Sequence, residues 1–168
     1  MTADEFAQLP DDDHRYELVR GEVRRTPPPR RQRSRIATKI IARLGPWIDE
    51  RKLGEVYAAV GFLLSQRPDT VRSPDVSFVR AENVPDEDEY PPAPDLAFEV
   101  KSPSNTYKEL LEKKDDYLAA GTLAVIIVDP TKNSVTVQRP TGVTTVEDTL
   151  TLDDILPGWQ LPLSDLFA

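Results

Sequence analysis

Glu99 and Lys101 flank Val100 in PDLAFEVKSPSN, residues 94–105, a stretch with the composition of a strand. Strand side chains alternate, so Leu96, Phe98 and Val100 share one face while Asp95, Ala97, Glu99 and Lys101 share the other. The first face is suited to a core. The second sets a carboxylate beside an ammonium just before the turn signal SPSN. Such a pair serves acid–base or metal chemistry, or forms a half-solvated ion pair worth ~0–1 kcal/mol. The rest of the composition narrows the choice. There is no cysteine, so disulfides and thiolate metal sites are excluded. The one histidine, His14, lies in DDDHR and reads as part of a solvated turn. That rules out a multi-imidazole centre and leaves a Ser-His-Asp triad only through that turn. No glycine pattern matches a P-loop or dinucleotide fingerprint. Carboxylates and lysines remain, and oxygen-only ligands favour Mg²⁺ or Mn²⁺.

These residues need a scaffold. Thr2 and Glu5 have capping-box spacing for a short helix. RYELVRGEVRR reads as two strands turning at Gly21. After Pro27–Pro29, the apolar residues Ile36, Ile40, Ile41, Leu44, Trp47 and Ile48 predict a helix over 31–51, with Gly45-Pro46 as a kink or early stop. EVYAAV, GFLLSQ and PDVSFV are strand candidates, followed by the acidic, proline-rich PDEDEYPPAP. A second helix is expected over 106–120, with Thr106 and Glu109 as its capping box and Gly121 as its stop. LAVIIVD is apolar on both faces, which predicts a central strand covered on both sides. SVTVQR would pair beside it through a Lys132-Asn133 turn. The tail LTLDDILPGWQLPLSDLF is apolar enough to pack. The expectation is one α/β (α+β) domain over 1–168, with a mixed central sheet flanked by helices.

At 168 residues, 39% hydrophobic and 30% charged, the chain suits a single core. The run LAVIIV is far short of the ~20 residues of a membrane span. The acidic start MTADEFAQLPDDDH lacks a signal-peptide pattern, so a cytoplasmic protein with no membrane partner is expected. The net charge of −8 argues against an indiscriminate nucleic-acid binder, but it is unevenly placed. Residues 15–52 hold twelve Lys/Arg and four Asp/Glu, a local +8 against −16 elsewhere. The densest run, VRRTPPPRRQRSR, is either solvated surface or a phosphate-facing patch. Arg30, Arg31, Arg33 and Arg35 are its candidate phosphate contacts.

Asp75, in SPDVSFV, opens a strand upstream of Glu99. Pro-Asp, a loop and then Glu-x-Lys resembles the signature of the PD-(D/E)xK nuclease superfamily, the restriction-endonuclease-like fold. The likeness extends through YELVRGE, the basic helix, SPDVSFV, PDLAFEVKSPS, EKKDDYLAAG, VDP and LPGWQLPLSDLF. That order is similar to a large bacterial family of restriction-endonuclease-like proteins, from about Tyr16 to Phe167. The resemblance implies a Mg²⁺-dependent (or Mn²⁺-dependent) endonuclease acting on DNA, duplex most readily. It implies Asp75, Glu99 and the Val100 carbonyl as metal ligands, with a lysine beside them. Strand geometry puts Lys101 on the Glu99 face and makes it the expected catalytic lysine. The family often carries its lysine on the following helix instead, which maps to Lys113, so both are candidates. A histidine common in the family before the first long helix is replaced by Arg33, and the aromatic pair of EYW by residues within Ala124–Ile126. Glu17 and Glu22 match family carboxylates but fit strand surface pairing equally well. Asp95 reads as a turn residue at the start of its strand. Double-strand cleavage suggests a homodimer. The alternative function is a non-catalytic nucleic-acid-binding or assembly module that keeps the nuclease fold.

Overall fold

The computed structural model describes residues 1–86 and 90–168; residues 87–89, in the middle of PDEDEYPPAP, lie outside the described residues. Helix α1 (Ala3–Ala7) opens on the Thr2/Glu5 capping box, each residue bonding the other's backbone N–H. Strands β1 (Arg15–Val19) and β2 (Glu22–Thr26) form a hairpin. Its turn residues Arg20 and Gly21 both have positive φ, 49° and 78°, as a right-twisted hairpin favours. Helix α2 (Arg31–Arg51) runs unbroken through Pro46. Pro46 deprives the Ala42 carbonyl of its partner, but both residues are exposed, so water can satisfy it. The buried stripe Ile36, Ile40, Leu44 and Ile48 continues past the proline. Each of these side chains contributes about 1.5–3 kcal/mol by leaving water.

Strands β3 (Gly54–Ala58), β4 (Phe62–Ser65), β5 (Thr70–Arg72) and β6 (Val76–Arg80) follow, then β7 (Leu96–Val100). The three-residue β5 is an element the sequence pattern did not reveal. Helix α3 (Tyr107–Ala119) starts at Thr106, with the expected capping box to Glu109. The chain continues through β8 (Ala124–Asp129), β9 (Ser134–Arg139), β10 (Gly142–Val146), β11 (Thr149–Thr151), β12 (Gln160–Pro162) and α4 (Leu163–Phe167). Gly54 is required by its surroundings: its φ is +152°, and a Cβ there would sit 2.0 Å from the Val79 carbonyl oxygen.

The main sheet has six strands in the order β10-β9-β8-β7-β6-β3. Only the β7–β8 pairing is parallel, and α3 makes the crossover between them. A second sheet, β2-β1-β5-β4, is antiparallel throughout, and β11 pairs with β12. This mixed sheet with flanking helices is the expected α+β architecture. Strand β8 is buried along its whole length, as its two-faced apolarity requires. One face of the main sheet, including Phe78, Leu96, Phe98, Val100 and Ile126, packs under α2 and the tail residues Trp159 and Leu166. The opposite face presents Ala97, Val125 and Ile127 to Leu110 and Tyr117 of α3. Glu99 follows Ala97 by one strand period, so it lies on the α3 side.

Candidate active site

Asp75 immediately precedes β6 and is 6% exposed. Its own amide donates to the Phe98 carbonyl at 3.0 Å, and the Val100 amide donates to its Oδ2 at 2.8 Å. These bonds clamp Asp75 to the end of β7. Its Oδ1 accepts from Arg33 Nε at 2.8 Å. Glu99 is fully buried. Its Oε1 accepts from the Tyr117 hydroxyl at 3.0 Å and lies 2.8 Å from Lys113 Nζ. Its Oε2 is buried and has no hydrogen-bond partner, and Arg33 Nη2 stops 4.0 Å away. A buried, unpartnered carboxylate oxygen is costly to maintain, and it is an acceptor that a cation would satisfy.

Lys113 also reaches Glu17 Oε1 on β1, 2.9 Å away. Glu17 in turn accepts from the Ser73 amide and from Arg72 Nη1, each at 3.1 Å. Arg72 is braced by Asp116 Oδ2, 2.7 Å from its Nη2, and by Glu112 Oε1 at 3.3 Å. Helix periodicity explains the arrangement: Leu110, Lys113 and Tyr117 are three and four residues apart, so one face of α3 both packs on the sheet and delivers an ammonium and a phenol. A cleft of about 230 Å³ opens onto this cluster, lined by Arg24, Arg25, Arg33, Ser104, Asn105 and Lys113 among others.

The charges set the protonation states. Burial works against ionisation of Glu17, but Lys113 and Arg72 outweigh it and hold the carboxyl down at about 2. For Glu99, burial together with the Asp75 and Glu17 charges raises the pKa against the pull of Lys113. Burial disfavours the Lys113 ammonium too, yet Glu17 and Glu99 more than compensate and raise its pKa. The Tyr117 phenol is pushed well up, by burial first and then by Glu99, so it remains a donor.

The structure therefore brings together Asp75, Glu99 and Lys113, adds Glu17, Tyr117 and Arg72, and draws in Arg33. It does not bring Lys101 to them. Strand β7 ends at Val100, and beyond it the Lys101 amide donates to the Val128 carbonyl at 2.8 Å. The Lys101 ammonium lies over the Tyr107 ring, 5.8 Å from its centre, with Lys132 on the same ring at 5.4 Å. The expectation that Lys101 accompanies Glu99 is corrected accordingly: its ammonium turns to the Tyr107 ring at the start of α3. The arginine run is divided by the fold. Arg33 points inward to Asp75, and Arg35 donates to the Ala168 main-chain oxygen. Arg30 and Arg31 are exposed and free of ion pairs among the described residues. Asp95, as expected, is a turn carboxylate, accepting from the Arg80 amide at 2.7 Å and from Asn83 at 3.3 Å. His14 is half-buried beside Asp12, its Nδ1 3.2 Å from Asp12 Oδ1.

The fold and the buried Asp–Glu–Lys cluster define a restriction-endonuclease-like protein. The chain belongs to the Uma2 family, whose model, described as "Putative restriction endonuclease", matches residues 3–164. Among solved structures, the crystal structure of a protein described as "a putative nuclease belonging to DUF820", from Anabaena variabilis, is similar over 99% of this chain and 97% of that one. Its TM-score is 0.87 at 21% sequence identity, a likeness of fold. No curated protein matches the chain. Family and fold together support a nuclease role. No helix among the described residues is long and apolar enough to cross a membrane.

Proposed function

We propose that this protein is a Mg²⁺- or Mn²⁺-dependent endonuclease that hydrolyses phosphodiester bonds of duplex DNA. The observation that carries the reading is the Glu99 carboxylate, with one oxygen fixed by Lys113 and Tyr117 and the other buried without a partner. Among the described residues no three His, Cys, Asp or Glu side chains converge as a metal centre, so the protein's donors would be few. Asp75 and Glu99, with the Val100 carbonyl, are all hard oxygen donors of the kind Mg²⁺ takes when water supplies the rest of its shell. An ion bound there would supply Lewis-acid charge beside the scissile phosphate and acidify water.

The chain's own residues do the remaining work. Lys113 is anchored by two carboxylates, so its positive charge needs no reorganisation as negative charge develops on a phosphate. Tyr117 holds Glu99 Oε1, which leaves Oε2 as the acceptor for an ion. The Val100 amide fixes Asp75. The cleft beside Arg24, Arg25 and Asn105 gives the backbone of the substrate a route in. Cutting both strands takes two such sites, hence a homodimer.

A plasmid-nicking assay with Mg²⁺ or Mn²⁺ tests this. Asp75→Asn, Glu99→Gln and Lys113→Met should each lose about 10²–10³ in rate, while Lys101→Met stays within a few-fold of wild type. Nicking that survives in Asp75→Asn and Glu99→Gln would place hydrolysis elsewhere. A dead Lys101→Met beside an active Lys113→Met would return the role to Lys101. One observation favours a second reading, a non-catalytic nucleic-acid-binding module: Arg33 already neutralises Asp75. Duplex binding with no nicking under either metal would favour that reading.

A further inference from the structure

Arg33 stands where the carboxylates converge. Its Nε is bonded to Asp75 Oδ1 at 2.8 Å, its Nη2 lies 4.0 Å from Glu99 Oε2, and its side chain is 12% exposed. The second distance is too long for a hydrogen bond, so Arg33 leaves the Glu99 oxygen unpartnered. The guanidinium thus satisfies one carboxylate and only approaches the other. The charges also balance without a further ion: Asp75, Glu99, Glu17, Glu112 and Asp116 face Arg33, Lys113, Arg72, Arg20 and Arg24. A divalent ion added beside an unmoved Arg33 would meet a like charge in a poorly solvated site, where repulsion is strong. Arg33 has somewhere to go, because it also lines the open cleft with Arg25, Ser104 and Asn105.

We infer that Arg33 is a tethered cation that occupies the divalent-ion seat between Asp75 and Glu99, and that it must swing out for the ion to bind. This rests on the metal-dependent reading above. Arg33 is on this view a positioning residue. It keeps the two carboxylates compensated until a divalent ion takes its place, and so weakens the affinity for that ion. The exchange also makes occupancy sensitive to whatever draws the guanidinium into the cleft, and a phosphate is the natural partner for a planar five-donor fork.

The test is direct binding of Mn²⁺, followed by calorimetry and by the loss of free-ion paramagnetic signal, in wild type, Arg33→Gln, Arg33→Lys and Asp75→Asn/Glu99→Gln. Arg33→Gln keeps an N–H for Asp75 but removes the charge, and should bind Mn²⁺ about tenfold more tightly or better. Arg33→Lys keeps the charge and should stay within about threefold of wild type. The double carboxylate variant should lose the site. Equal affinity in wild type and Arg33→Gln, with loss in the double variant, would overturn the exchange and leave the metal site standing. Binding that survives in the double variant, or no binding in any protein, would overturn both. A second measurement avoids variants that fold poorly. In the wild-type protein, saturating Mg²⁺ should move the Arg33 Nε–Hε NMR resonance toward that of a free arginine. A resonance that keeps its ion-paired position with the site filled would overturn the exchange.

Discussion

Glu17 shows how one residue can carry both the stability and the geometry of the cluster. Its carboxylate joins Lys113 on α3 to Arg72 on β5, and so fixes the ammonium beside Glu99. Unfolded, it titrates near 4.5; folded, near 2. Between those values the folded state binds fewer protons, so this contribution is full above about pH 4.5 and is lost as pH falls toward 2. The shift corresponds to ~3 kcal/mol at neutral pH. Glu17→Gln should therefore cost roughly that much in urea denaturation at pH 7, with the penalty shrinking steadily below pH 4.5. A penalty of constant size down to pH 3 would mean that packing, not charge, sets the role of Glu17. The sequence offered Glu17 only as a carboxylate with two equal explanations. Its partners lie on elements far away in the chain, and only tertiary packing brings them together.

At the scale of elements, helix α3 decides which lysine stands beside Glu99. Its start at Thr106 is fixed by a reciprocal capping box, the Glu109 amide donating to Thr106 Oγ1 at 3.2 Å and the Thr106 amide to Glu109 Oε2 at 2.7 Å. From there Leu110, Lys113 and Tyr117 fall on the sheet side. Thr106→Ala should cost about 1 kcal/mol of stability, and because the first turn frays it should slow nicking by more than an equal loss of stability made in α1. A Thr2→Ala variant of matched stability is the control; equal activities would show that the cap does not hold Lys113 in place. Both capping boxes, the α2 stripe and the face alternation of β7 were legible because each is a local periodicity. Lys101 was misplaced because the direction a long side chain takes is not. Alternation gives Lys101 a face, and its amide still bonds the Val128 carbonyl of β8, but its ammonium turns to Tyr107 and not to Glu99. The three-residue β5 was hidden because so short a strand has no period, and with it went Arg72.

For the whole molecule the relevant quantity is where the excess positive charge remains available. The +8 of residues 15–52 looks like a single patch in sequence, but folding divides it. Arg35 and Lys39 are committed to the Ala168 main-chain oxygen, and Arg43 to Asp165, so one side of α2 is tied to α4. Arg33 and Arg72 turn inward, and Arg24 is paired with Glu112 at 3.2 Å. Arg25, Arg30 and Arg31 stay exposed, on β2 beside the cleft and at the start of α2, where the helix dipole adds positive potential. These three are the phosphate contacts we expect, in place of a uniform run that includes Arg33 and Arg35. Each phosphate neutralised adds about 0.9 to the slope of log affinity against log salt, so changing Arg25, Arg30 and Arg31 together to Ala should flatten that slope by about 2–3. Changing Arg35, Lys39 and Arg43 instead should leave the slope within about 0.5 of wild type, because their head groups are already held against Ala168 and Asp165. Duplex-DNA titrations in chelator at several salt concentrations measure both. If the second set flattens the slope and the first does not, the DNA path runs along α4, away from the cleft that opens on Lys113.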